Sequence, residues 1–84
     1  MIMSFKENDV VCLTDEAIAQ SSIYFGKASM FRGERGRCYR VRKVIRDEQN
    51  DSVVVFLNDI NGKPIHKFEC GVYGGHLRLL NDSV

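Results

Sequence analysis

The chain has 84 residues, 44% of them apolar and 27% charged, with a formal net charge of +1. A chain of this length forms one domain, residues 1–84, and buries only about 60–65% of its unfolded surface, which leaves little material for a deep catalytic cleft and argues against an enzyme. Its three cysteines, Cys12, Cys38 and Cys70, are odd in number and widely spaced, unlike a secreted disulfide scaffold. No run has the length of a signal-peptide core or a membrane span. The expectation is therefore a cytoplasmic protein with three free, mostly buried thiols and no membrane partner.

Strand signals recur along the chain, as β-branched and aromatic runs separated by Gly, Asn and Asp. The first is Asp9 to Thr14. The stretch from Asp15 to Gly36 follows as a long loop or folded excursion, because an unstructured connection of that length is unusual. Within it, Asp15 to Gln20 has the composition for one or two helical turns, with Thr14 or Asp15 as N-cap.

The second strand runs from Arg37 to Arg46. Tyr39 and Val41 share one face and Arg40 and Arg42 the other, after which Lys43 falls where an apolar residue is due. A bulge near Arg42–Lys43 restores the register and bends the strand. Asp47-Glu48-Gln49-Asn50-Asp51 makes an acidic hairpin turn into a third strand, Ser52 to Leu57, which is apolar on both faces and therefore central.

Asn61-Gly62 is a tight-turn signal, and Pro64 suits the start of an edge strand, where no ladder donor is needed. A fourth strand is expected over Ile65 to Glu69. Gly71, Gly74 and Gly75 break the chain before a last strand, His76 to Leu80. Five strands in so few residues predict an all-β, small five-stranded barrel or curled sheet.

Charge is strongly segregated. Seven of the twelve Lys and Arg residues fall between Arg32 and Arg46, opposed there only by Glu34, so this window carries +6. The rest of the chain has five basic and ten acidic residues, or −5. Such polarity sets where an anionic partner lands.

The order of elements resembles an SH3-like β-barrel. Gly33-Glu34-Arg35-Gly36-Arg37-Cys38-Tyr39-Arg40-Val41, followed by Val53-Val54-Val55-Phe56-Leu57, is similar to the KOW motif, in which a glycine precedes a bent hairpin. Small proteins built this way and ending in a segment like His76-Leu77-Arg78-Leu79-Leu80 also occur in bacteriophages. The resemblance covers most of Glu7 to Leu80 and implies a fold more than a function. Tryptophan is absent, which argues against proline-rich peptide recognition.

Two candidate surfaces follow. The first is the basic strand: Arg40, Arg42 and Lys43, with Arg32, Arg35 and Arg37 at its entrance, form a row of cations matched to phosphate oxygens. Its partner would be nucleic acid or an acidic protein surface, and its bland counterpart is a solvated face paired with Asp47, Glu48 and Asp51. The second is the cluster Tyr24, Phe25, Met30 and Phe31, with Ile23 beside it. It either closes one end of the barrel or forms a protein-binding patch, through which a small phage-type accessory protein would grip or inhibit a host protein. In so small a domain the closing role is favoured, and a homodimer interface satisfies both.

His66, Cys70 and His76, with Cys38 or Cys12, are the right ligand types for zinc, but no paired Cys or His spacing supports a site. No base stands next to a thiol, and no glycine-rich phosphate loop opens a helix. No cofactor is expected.

Overall fold

The computed structural model describes residues 5–80. The sheet is antiparallel and five-stranded: β1 (Val10–Leu13), β2 (Tyr39–Asp47), β3 (Ser52–Asp59), β4 (Val72–Tyr73) and β5 (Leu77–Leu79), in the spatial order β4-β3-β2-β1-β5. One helix, α1 (Asp15–Phe25), interrupts it after β1. Among the described residues no ladder joins the edge strands β4 and β5, so the hydrogen-bonded sheet is open. The expected β-rich fold is present; barrel closure is not.

The longest pairing is the β2–β3 hairpin. Val41 pairs with Leu57 and Lys43 with Phe56, which leaves Arg42 as the extra residue of a bulge. The lapse in alternation at Lys43 marks this position in the sequence, and β2 takes up the additional residue by bending. At the hairpin tip the Asp47 carboxylate accepts from the backbone N–H of Gln49 and Asn50 and from the Asn50 side chain. These bonds hold the Asp47 carboxyl below its ordinary value against a smaller opposing effect of burial. Asp51 completes the turn at φ 48°.

Apolar alternation on β1, β2 and β3 points Val11, Val41, Val55 and Leu57 into one core, joined by Leu77 and Phe68. The Phe68 ring is the centre of an aromatic group, with Tyr39 edge-on at 5.3 Å and Phe31 at 6.2 Å. Edge-to-face packing places the positive rim of one ring on the negative face of another.

Two expectations are corrected. Ile65–Glu69 is not a strand: Pro64 makes a single bridge with Asn58, and His66–Phe68 turns into a 3₁₀ helix. The fourth strand is instead Val72–Tyr73, and its close packing on β3 depends on Gly71 and Gly74. A Cβ on Gly71 would lie 2.5 Å from Val54 Cγ1, and one on Gly74 would lie 2.6 Å from Val53 Cγ2. The last strand is also shorter than expected, because His76 belongs to a 3₁₀ turn, Gly74–His76.

The excursion between β1 and β2 is folded throughout. Thr14 caps α1, its hydroxyl accepting from Ala17 N at 3.1 Å, and Asp15 and Glu16 complement the helix dipole in the first turn. The helix continues one and a half turns beyond Gln20, since no breaker intervenes until Gly26, which adopts φ 54°. A 3₁₀ turn, Gly26–Ala28, and three reverse turns closed by Arg32 N, Glu34 N and Arg37 N bring the chain back to β2. The buried hydroxyls of Ser21 and Ser29 bond to each other and tie this return to α1.

Candidate functional site

The basic segment divides by what each side chain touches. Arg40 is half-buried and donates to two backbone carbonyls, Asn8 O at 3.1 Å and Ile60 O at 3.4 Å. It joins the start of the chain to the turn after β3, and its guanidinium is occupied. Arg35 pairs with Asp15 at 3.0 Å, and Arg46 lies 3.9 Å from Asp51. All four of these side chains are mostly exposed, so these pairs are weak and exchange readily with a competing anion.

Glu34 has a different role from that of a lone acid among arginines. Its side chain is only 5% exposed and accepts from the Tyr39 hydroxyl at 2.7 Å, with Lys67 Nζ at 3.3 Å and Arg37 at 3.6 Å. Burial, and then the hydrogen bond and negative charge of Glu34, push the Tyr39 phenol well above its ordinary value. Tyr39 is therefore core and unavailable for stacking. The carboxylate locks the return from α1 onto β2 and, through Lys67, onto the 3₁₀ turn after Pro64.

Arg42, Lys43 and Arg32 remain. All three are exposed, and no ion pair engages them among the described residues. The bulge exposes Arg42 and Lys43 in succession, where regular alternation would have turned one inward. The Arg42 guanidinium lies 5.6 Å from the centre of the half-buried Phe56 ring, within cation–π range. Arg42 also borders a cleft of 180 Å³, with Leu57, Ile65 and Phe68 as apolar wall and His66 and Glu69 at the rim. His66 Nδ1 is 3.5 Å from Glu69. This cleft was not legible in the sequence, because its walls come from β2, β3 and a turn that reads locally as a strand.

The aromatic and Met cluster splits in two. Phe31 is buried against Phe68, with His76 edge-on at 5.6 Å. It is a core residue, as the closing role of the cluster expects, and is not available to a binding patch. Tyr24 and Phe25 remain 79% and 65% exposed, and Ile23 79%. Tyr24, Phe25 and Met30 line a groove of 340 Å³ between α1 and the segment Gly71–His76.

The thiols also depart from expectation: Cys12 is buried, Cys38 half-buried and Cys70 exposed, all three free. Burial, the largest influence, raises the Cys12 thiol. Among the described residues no three His, Cys, Asp or Glu side chains cluster as metal ligands, and no helix is long and apolar enough to cross a membrane.

Comparison with protein families, curated proteins and solved structures yields no match to this chain. Function must therefore be argued from these two surfaces.

Proposed function

We propose that this protein is a non-catalytic module that binds nucleic acid through a face centred on Arg42 and Lys43. One observation carries the reading. Among the described residues, the β2 bulge sets two adjacent cations in solvent without a carboxylate partner, one of them over the Phe56 ring and beside a cleft of mixed polar and apolar lining. Cations neutralise phosphates, and an aromatic surface with a cleft accommodates unstacked bases, so a single strand is the favoured form. Arg32 extends the face, while Arg35 and Arg37 reach phosphates by exchanging their carboxylate partners. Arg40 holds the bent strand in place. The strand order β4-β3-β2-β1-β5 and the bent β2 support reading this open sheet as SH3-like in topology.

The test is fluorescence anisotropy with labelled single- and double-stranded DNA and RNA over a salt series. Binding should tighten at low salt and favour single strands. Arg42→Ala with Lys43→Ala should weaken binding to all sequences and flatten the log–log salt slope by roughly one to two. Flat wild-type curves at low salt would remove the proposal, as would an unchanged slope in the double variant.

A further inference from the structure

We propose that the exposed stripe of α1 and the groove beside it form a two-fold interface between two copies of this chain. Glu16, Gln20, Ile23 and Tyr24 recur at the spacing that places residues on one side of α1, and all four are exposed, as is Lys27 just past the Gly26 cap. None of them contributes to the core. Ile23, Tyr24 and Phe25, consecutive and exposed, make an apolar patch of the kind that marks an interaction surface.

Three properties of the patch identify that partner as a second copy. First, the patch is self-complementary, as an isologous contact requires. Its exposed rings, Tyr24 and Phe25, form one side of an open groove of 340 Å³ whose walls also include the small residues Ala17, Ala28 and Gly71. An aromatic ring from one copy fits the groove of the other, and the two-fold repeats the insertion.

Second, the charges favour an antiparallel arrangement. Glu16 lies in the first turn of α1 and Lys27 just past its end. An axis crossing the stripe between Gln20 and Ile23 sets Glu16 of each copy against Lys27 of the other and opposes the helix dipoles. It also brings Tyr24 beside Gln20 of the second copy, at the groove wall. A parallel pair would place Glu16 against Glu16.

Third, the area suffices. Ile23, Tyr24, Phe25 and Met30 together expose on the order of 500 Å² per copy, given that an aromatic side chain buries about 150–250 Å². Two copies that covered all of this surface would bury at most about 1,000 Å² from these residues, the lower bound of a specific interface, which suits a reversible dimer.

The experiment is sedimentation velocity on the full chain, kept reduced so that exposed Cys70 forms no cross-link, across a micromolar concentration series. Wild type should show a monomer–dimer equilibrium that stops at two. Tyr24→Ser with Phe25→Ser should raise the dissociation constant roughly tenfold or more, with circular dichroism unchanged and, at concentrations where wild type is monomeric, an unchanged melting temperature, because neither ring is in the core. Lys27→Glu should weaken the dimer, and Glu16→Lys combined with Lys27→Glu should restore it, an outcome that loss of folding does not produce. A wild type that stays monomeric throughout would assign the groove to a different protein and overturn the proposal. Growth past the dimer, or a double charge variant no tighter than Lys27→Glu alone, would overturn it as well.

Discussion

Replacing Glu34 with Ala probes the link between the excursion and the sheet. The carboxylate is 5% exposed and meets three donors, but these are unequal in what they lose. Arg37 and Lys67 are 67% and 43% exposed, so each regains water when the carboxylate is removed. The Tyr39 hydroxyl is buried with its ring and does not. An orphaned buried hydroxyl costs about 1–3 kcal/mol, and the small void left by the Glu side chain adds to it. The expected loss is about 2–3 kcal/mol, from a total of roughly 4–13 kcal/mol for a chain of this size. In a domain of 60–100 residues each 1 kcal/mol lowers Tm by roughly 4–8 °C, so the variant should melt about 10–20 °C below wild type. Urea denaturation with unchanged m-value measures the loss directly. Glu34→Gln keeps an acceptor for Tyr39 and loses only the attraction to Arg37 and Lys67, which regain water, so it should cost clearly less than Ala. A loss under about 1 kcal/mol for Ala, or an equal loss for Gln, would refute the anchoring role of Glu34.

Two further outcomes follow from the same geometry. The Tyr39 phenol is raised above its unfolded value of 10.0 by burial and by Glu34; its neutral form is the stabilised one, so the contribution is complete below pH about 10 and declines as pH rises above that. Stability measured by urea at stepwise higher pH should therefore drop more steeply in wild type than in Tyr39→Phe, and parallel curves would contradict the assignment. Gly71→Ala places a side chain at φ +85° and against Val54; left-handed backbone costs about 1–2 kcal/mol before the clash is counted, so a melting temperature within a few degrees of wild type would show that β4 does not depend on that approach.

Much of the fold is legible locally. Thr14 before Asp15 and Glu16 announces a helix start, the run of polar residues 47–51 announces a hairpin, and the break in alternation at Lys43 announces the bulge. Each is a contest between side chain and backbone settled within a few residues. The fourth strand was misplaced because β4 has only two residues, too few for any period, while Ile65–Glu69 offers an apolar pattern without a ladder to join. The sequence likewise identifies the basic segment but not its division of labour. Arg40 and Arg42 look equivalent there, yet one is bound to Asn8 and Ile60 and the other faces solvent.

A β-rich chain with a polarised charge distribution, a bent second strand and an apolar cluster outside the strands can be read from local residue patterns. This is possible because strand alternation, turn chemistry and helix capping are short-range. Packing between distant segments turns Phe31 inward while Tyr24 and Phe25 remain outside, makes Glu34 a buried anchor, and opens a cleft beside Arg42. Those outcomes depend on which surfaces meet across long separations in the chain. Burial and desolvation are properties of that meeting and leave no period in the sequence.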